Sequence, residues 1–373
     1  MSETLNTERL TADTNGIRRA AELLKAGKLV AFGTETVDGL GALASSDTAV
    51  ARIFAAKGRP RFNPLISHLA DAESAFAQAD LHGRIKDMAY ALADKFWPGP
   101  LTMVLPRGSH STVSDLAAAG LNTLALRVPR GKTALALLRE VGAPIAAPSA
   151  NISGTVSPSD ASHVLRSLDG RIDAVLDSGP CSVGVESTVL DLTRDTPVLL
   201  RPGGVTLEEL TALCGPIQHP DDFAEALPSS PGRLASHYAP ALPVRLDAYD
   251  VRPNEALLAF GPALSNAGLT WNLSETGSLE EAAARLFAGL RFLDAEGTKR
   301  GLTCIAAQPI PRQGLWPAIR DRLLPAAEPR PLSQALGRHL AEYRFYPKYI
   351  HILYAIRSEE RPLGEESTSR RSP

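Results

Sequence analysis

The chain has 373 residues, of which 44% are hydrophobic and 21% charged, and this composition is typical of a globular protein and excludes a wholly disordered or fibrous one. The 39 lysines and arginines against 41 aspartates and glutamates leave a net charge of -2, so a contact with nucleic acid would have to come from a local basic patch. The three cysteines, Cys181, Cys214 and Cys304, lie far apart, which argues against a zinc finger or a disulfide scaffold and favours a reducing compartment. The N-terminal residues show no apolar signal segment, and no apolar run reaches the ~18 residues that span a bilayer, so the sequence predicts a cytoplasmic protein without membrane contact.

Strand and helix patterns are mixed through the first part of the chain, which predicts an α/β domain. A helix over 16–25 is expected to precede a buried strand over 29–32, a glycine-bearing loop over 33–41 and a helix over 47–56. Farther along, short apolar runs predict strands over 101–105, 124–128, 144–147, 174–176, 188–192 and 198–200. Apolar residues at helical spacing predict helices over 83–96, 132–141, 159–168 and 207–213.

A stretch rich in proline, serine and aspartate separates this part from a smaller α/β unit. In that unit we expect strands over 244–246, 256–260 and 302–306, a helix that begins at a capping box of Ser278 and Glu281 and runs to 293, and a short helix over 318–324. The sequence thus divides into a domain over 12–215, a linker over 216–243, a small domain over 244–327 and an unassigned, partly disordered tail over 328–373.

The sequence Lys57-Gly58-Arg59-Pro60-Arg61 places three cations within five residues at the end of a predicted helix. Gly58 and Pro60 keep that helix from continuing, so the turn can direct several positive charges at one polyanion. Arginine also offers a fork of donors that matches phosphate oxygens. The pattern indicates a phosphate site, although a basic turn that only faces water explains it equally well.

Three further groups of residues are typical of ligand sites at strand ends. A loop with two threonines follows the strand over 29–32, but it matches neither a Walker A loop nor a complete dinucleotide motif. Small hydroxylic residues follow the strand over 144–147, where hydroxyl and backbone N–H groups suit a phosphate or a ribose. Arg127 and Arg201 each end an apolar run, which is where open α/β sheets bind ligands. Taken singly, each group also has a plain structural explanation as a tight turn, a helix cap or a surface ion pair.

In order and spacing, the segments 57–68, 149–154, 187–189 and 201–203 together resemble the YrdC-like threonylcarbamoyl-AMP synthase family. Ser230-Pro231-Gly232 followed by His237-Tyr238-Ala239-Pro240 is similar to the linker motif of its two-domain form, and residues 314–323 resemble the end of its C-terminal domain. The resemblance covers about residues 12–327. It implies a YrdC-like twisted open mixed sheet with helices, followed by a smaller, Rossmann-like α/β domain.

The resemblance also implies a reaction. Family members make L-threonylcarbamoyladenylate from L-threonine, bicarbonate or CO2, and ATP, and they release pyrophosphate. The product passes to tRNA threonylcarbamoyl-transfer proteins, and a local contact with tRNA is an open expectation. Mg²⁺ is expected on the ATP phosphates, held by substrate oxygens and water.

Carried over position by position, the family pattern assigns two sets of contacts. Those to ATP are Lys57, Arg59, Asn63, Thr123, Ser149, Ser157, Arg201, His237 and Tyr238. Those to threonine are Thr36, His68, Arg127, Ala147 through its backbone, and Ser187. Arg127 suits the threonine carboxylate through two parallel hydrogen bonds, and the linker with His237 and Tyr238 is expected to close over the nucleotide as a lid. No residue is assigned as a general acid or base, because positioning and charge neutralisation should provide most of the rate.

Two positions depart from the family pattern: Gly33 stands where proline is usual and Asp38 where tyrosine is usual. A carboxylate beside an anionic nucleotide is expected to weaken binding unless Asp38 turns outward or helps to hold Mg²⁺. Three other interpretations are open: an RNA-binding protein, a regulatory paralogue with weak or no synthase activity, and a carbamoyl-transfer enzyme of the hydrogenase-maturation type. The last normally carries acylphosphatase and zinc-binding modules, which this sequence does not show.

Overall fold

Two β-sheets organise the residues that the computed structural model describes, which are 5–59, 63–219 and 240–327. The larger sheet is mixed, with strand order β1-β8-β2-β3-β7-β4-β6-β5-β9-β10, and its strands are β1 (Glu8–Thr11), β2 (Val30–Phe32), β3 (Gly39–Leu43), β4 (Ile66–His68), β5 (Leu101–Pro106), β6 (Thr123–Arg127), β7 (Ile145–Ala146), β8 (Ala174–Asp177), β9 (Thr188–Asp191) and β10 (Val198–Arg201). The smaller sheet is parallel, with order β11-β14-β12-β13, and its strands are β11 (Val244–Arg245), β12 (Glu255–Ala259), β13 (Thr270–Asn272) and β14 (Cys304–Ala307). The described helices are α1 (Thr14–Lys25), α2 (Asp47–Lys57), α3 (Ala72–Phe76), α4 (Gly83–Phe96), α5 (Lys132–Val141), α6 (Ala161–Leu168), α7 (Leu207–Cys214), α8 (Leu279–Lys299) and α9 (Trp316–Ala327).

This architecture confirms the predicted fold class, a mixed α/β sheet followed by a small α/β part. Both sheets lie in one compact unit. Val37, Val156 and Val185, from loops of the larger sheet, pack into the apolar core of the smaller part. The predicted domain limits stay a prediction, because most of the linker over 216–243 and all of the tail over 328–373 lie outside the described residues.

The ends of α2 follow local sequence signals, whereas the capping box predicted at the start of α8 forms only in part. The Ser46 hydroxyl caps α2, which ends at Gly58 in the left-handed conformation with φ of 60°. At the start of α8, the Ser278 hydroxyl accepts a hydrogen bond from the Glu281 backbone N–H at 3.1 Å. The Glu281 carboxylate, however, accepts a hydrogen bond from the Ser274 hydroxyl at 2.6 Å. Only half of the predicted capping box therefore forms, because the Ser274 hydroxyl binds the Glu281 carboxylate instead.

The loop predicted over 33–41 is shorter than expected because its last residues belong to β3, which pairs antiparallel with β2. A Cβ on Gly41 would lie 2.8 Å from the Phe32 ring and 3.0 Å from the Val30 carbonyl, so packing rather than a turn requires this glycine. The other elements that the sequence did not predict, β1, β4, β13 and α3, have five residues or fewer. In the described ranges, no helix has both the length and the apolar character needed to cross a membrane.

Candidate active site

A pocket with about 570 Å³ of empty space, part of it open solvent, lies along β4 and at the carboxyl end of the parallel strand β6. Strands β4 and β6 are neighbours, and their register places His68 directly opposite Arg127. The turn after α2 and the loops after β7 and before β9 complete the wall. Eight of the predicted contact residues line this pocket: Thr36, Arg59, His68, Arg127, Ala147, Ser149, Ser187 and Arg201.

Arg127 lies at the bottom of the pocket and is held in one orientation by the protein. Its Nη2 donates to the Glu35 carboxylate at 2.7 Å, and its Nε donates to the Gly99 carbonyl at 3.1 Å. The Glu35 carboxylate is fixed in turn by the Arg130 backbone N–H at 3.0 Å. Among the residues that the structure describes, Nη1 and the second Nη2 hydrogen have no partner, so they can meet an incoming carboxylate. A buried arginine aimed in this way suits one end of an amino acid.

His68 presents a neutral imidazole to the same part of the pocket. The residue is 3% exposed, and burial together with the nearby Arg127 lowers the pKa of the ring to about 3. A neutral ring can accept a hydrogen bond and does not repel an ammonium group. On the neighbouring loop, the Thr36 and Thr34 hydroxyls lie 2.9 Å apart, which orients Thr36 at the pocket wall.

Ser187 and Arg201 meet on the opposite wall. Arg201 donates to the Ser187 carbonyl through Nε at 3.1 Å and through Nη2 at 2.9 Å, and Nη2 also lies 3.2 Å from the Ser187 hydroxyl. That hydroxyl shares a 2.7 Å hydrogen bond with Thr102 on β5. With Arg59 and Arg127, Arg201 brings three guanidinium groups to one pocket, which favours an anionic ligand.

Lys57 is buried beneath the pocket and binds backbone. Its ammonium donates to the carbonyls of Ser149 and Asn151, the latter at 2.5 Å. Burial, and then the neighbouring Arg59, keeps the pKa of this ammonium well below its ordinary value. Lys57 therefore ties the loop after β7 to the end of α2 and so positions Ser149.

Three other predicted ATP contacts do not line the described pocket. The buried Ser157 lies behind it and donates from its hydroxyl to Glu186 at 2.5 Å. Asn63 is 1% exposed, and its Oδ1 has no hydrogen-bond partner within the described part of the chain. Thr123 begins β6, four residues and roughly 13 Å from Arg127 at the other end of the strand. Their contacts with ATP stay predictions, and His237 and Tyr238 lie outside the described residues.

Glu186 lines the pocket and was not predicted. One carboxylate oxygen accepts from Ser157, and the other accepts from Arg322 Nε at 2.9 Å. Burial alone would raise the pKa of Glu186, but Arg322, Arg201 and the Ser157 hydrogen bond outweigh it and hold that pKa below its ordinary value. The sequence feature that could have identified Glu186 is an acidic residue just before a buried strand, because a buried carboxylate needs a partner.

Asp38 neither turns outward nor lines the pocket. It is 3% exposed, and its Oδ1 lies 3.9 Å from the Cys181 thiol. Burial, followed by the charges of Asp160 and Asp177, raises the pKa of Asp38 to about 8, so the group is mostly protonated at neutral pH. A Cβ on Gly33 would lie 2.9 Å from Asp38 Oδ1, so the two departures from the family pattern fit each other.

Comparison with known proteins agrees with this geometry. Residues 22–203 match the family model described as "Telomere recombination", and residues 205–328 match that of "Threonylcarbamoyl-AMP synthase, C-terminal domain". The chain is 40% identical over 338 residues to the threonylcarbamoyl-AMP synthase of Bacillus subtilis, a match that covers 86% of this chain and 95% of that protein. The corresponding protein of Pyrococcus abyssi is 41% identical over 329 residues, covering 83% and 94%.

Structural comparison leads to the same group of proteins. The crystal structure of P. abyssi Sua5 complexed with L-threonine superimposes with a TM-score of 0.76 at 39% identity and covers 86% of this chain and 97% of that one. The resemblance seen in the sequence is confirmed over both sheets, and the chain belongs to the threonylcarbamoyl-AMP synthase family.

Proposed function

We propose that this pocket makes L-threonylcarbamoyladenylate from L-threonine, bicarbonate or CO2, and ATP. The observation that carries the proposal is the convergence of Arg59, Arg127 and Arg201 with a neutral His68 in one pocket, in a chain of this family. The L-threonine complex of the P. abyssi relative supports threonine as the small substrate. The family match extends to residue 328 and includes the C-terminal domain of the synthases, which favours a synthase over a regulatory, RNA-binding or hydrogenase-maturation protein.

The reaction needs two reactants held beside each other. The threonine amine and CO2 form a carbamate with loss of a proton, a carbamate oxygen attacks the α-phosphorus of ATP, and the bond to pyrophosphate breaks. Arg127 binds the threonine carboxylate, and His68 accepts a hydrogen bond from the amino acid. Arg59 and Arg201 neutralise the phosphate oxygens that gain charge as pyrophosphate leaves. Positioning of this kind accounts for roughly 7–11 kcal/mol of a barrier in favourable cases.

Mg²⁺ is proposed to reach the site on the ATP phosphates. Over the described ranges, no group of three His, Cys, Asp or Glu side chains is arranged to hold a metal ion. In the pocket both oxygens of Glu186 are already hydrogen-bonded, so the residues fit a cation held by phosphate oxygens and water. Bound there, Mg²⁺ would neutralise phosphate charge.

The partners of the reaction belong to the same proposal. The mixed anhydride product is reactive and has to pass to tRNA threonylcarbamoyl-transfer proteins. The lid of His237 and Tyr238, a local tRNA contact and a cytoplasmic location stay predictions.

The test uses purified protein with ATP, Mg²⁺, bicarbonate and labelled L-threonine. We expect pyrophosphate only when threonine is present, together with a labelled adenylate. Arg127→Met should abolish this release, whereas Arg139→Met, at an exposed position of α5, should leave it unchanged. Salt-sensitive tRNA binding without threonine-dependent pyrophosphate release would refute the synthase and favour the RNA-binding interpretation.

A further inference from the structure

A buried arginine from α9 reaches the pocket from the side of the smaller sheet. Arg322 is 0% exposed, and its Nε donates to Glu186 Oε2 at 2.9 Å. Its Nη1 donates to the Pro202 carbonyl at 2.5 Å and to the Ala318 carbonyl of its own helix at 3.1 Å. One side chain thus binds two points that lie 16 residues apart in the chain, the pocket-lining Glu186 and the backbone of Pro202.

The two points that Arg322 binds are adjacent in sequence to residues that face the ligand space. Glu186 precedes Ser187, and Pro202 follows Arg201. Ser187 and Arg201 are hydrogen-bonded to each other across the same wall. A shift of either backbone segment would therefore change the direction of the Arg201 guanidinium.

Glu186 poses an electrostatic problem for a pocket that takes a triphosphate. Its carboxylate lines the ligand space, and an unpaired buried carboxylate would repel phosphate. The ion pair with Arg322 removes that charge, and Ser157 occupies the other oxygen. Without Arg322, the carboxylate of Glu186 would keep its charge at the edge of the ligand space, where it opposes the binding of phosphate.

We propose that Arg322 is a positioning residue of the active site, which neutralises Glu186 so that its carboxylate does not repel the ATP phosphates. This inference rests on the proposed function. Neutralisation of Glu186 by Arg322 differs from a packing role of Arg322 in one respect that can be measured. If Arg322 acts by cancelling the charge of Glu186, then removal of that charge compensates for the loss of Arg322.

The experiment compares Arg322→Met with the double variant Arg322→Met/Glu186→Gln. We expect the single variant to raise the KM for ATP by about tenfold or more, with less than about a threefold change in the KM for threonine. The double variant should return the KM for ATP to within about threefold of wild type. The control is Arg320→Met on the same helix, because Arg320 is partly exposed and stacks on Trp316 at 5.2 Å.

Each outcome separates the two proposals. An unchanged KM for ATP in Arg322→Met, with active wild type, overturns the role of Arg322 and leaves the function standing. A double variant that stays as impaired as the single variant, or that fails to fold, shows a packing role and also overturns it. If wild type releases no pyrophosphate but binds Mg·ATP in calorimetry, the proposed function fails. In that case the role of Arg322 is judged by Mg·ATP binding alone. Weaker binding in Arg322→Met that is restored in the double variant supports the proposed role of Arg322, and unchanged binding in Arg322→Met overturns that role.

Discussion

The buried Asp38 carboxyl should make the protein less stable as the pH rises past neutrality. Burial first, and then the charges of Asp160 and Asp177, raise its pKa to about 8, while Arg291 opposes them. The folded state therefore keeps a proton that the unfolded chain, with an ordinary value of 3.8, has already lost. Between those two values, stability falls as the pH rises, because the folded state binds more protons.

The window from pH 6.5 to pH 8 contains the onset of this loss. The pKa values of His68 and His163 are lowered to about 3 and about 4, and unfolded histidines are still half protonated at their ordinary value of 6.5, so each adds a few tenths of a kcal/mol of stability as the pH rises through the window. The pKa of Lys57, lowered well below its ordinary value, acts in the same direction, whereas the pKa of the Cys181 thiol is raised well above 9.0, so its contribution begins above the window. Each proton of difference is worth about 1.36 kcal/mol per pH unit, which gives a loss of about 1–2 kcal/mol from Asp38 across the window, and comparison with a variant at Asp38 separates this loss from the other groups.

The assay is urea unfolding of wild type, Asp38→Asn and a control at pH 6.5 and pH 8. The asparagine keeps the shape of the protonated carboxyl, so the free energy of unfolding of Asp38→Asn should lose about 1–2 kcal/mol less than that of wild type between the two pH values. Asp94→Asn, at an exposed position of α4, should behave as wild type. An equal loss in wild type and Asp38→Asn would refute the assignment of a neutral, buried Asp38.

The remaining predictions concern the pocket wall. Lys57→Met leaves the carbonyls of Ser149 and Asn151 without their buried donor, and we expect a loss of about 2–4 kcal/mol in urea unfolding together with a higher KM for ATP. Arg127→Lys keeps the positive charge, but a lysine cannot bind Glu35 and Gly99 and also present two donors to the threonine carboxylate. Steady-state kinetics should therefore show the KM for threonine rising by about tenfold, with little change in the KM for ATP. Gly203→Ala would place a methyl group against the backbone of Thr188 and Glu186, and pyrophosphate release should fall sharply because Ser187 has to move.

The part of the site that follows from strand ends was predictable. Arg127 and Arg201 each terminate an apolar run, on β6 and β10, and both line the pocket. Ser149 follows β7, which runs antiparallel to both of its neighbours, so the rule for parallel strands does not explain its position. The family pattern then supplied His68, Ser187 and Thr36, which spacing alone does not bring together. The short strands β1, β4 and β13 were missed because three or four residues carry too little periodicity to distinguish them from loops.

The contacts that fix the site could not be predicted, because they join residues distant in the chain. Lys57 binds carbonyls 92 and 94 residues away, and Arg322 binds a carboxylate 136 residues away. A lysine in a basic turn looks the same in sequence whether it faces phosphate or binds backbone. Burial decides between these two roles: Lys57 is 1% exposed, so it binds the backbone. The chemistry of Lys57 was assigned from its position in a motif, whereas its hydrogen bonds depend on the tertiary structure.

The smaller sheet affects the pocket without lining it. Among the described residues, the lining of the pocket ends at Arg201. Two arginines beyond that point nevertheless bind residues at or behind its wall: Arg291 of α8 donates to the carbonyls of Val156 and Ser157, and Arg322 of α9 binds Glu186 and the Pro202 carbonyl. The Ser157 hydroxyl in turn donates to Glu186, so the arginine of α8 holds the residue that binds one carboxylate oxygen and the arginine of α9 binds the other oxygen. The smaller part therefore contributes two cations that hold Glu186 and its neighbours in place.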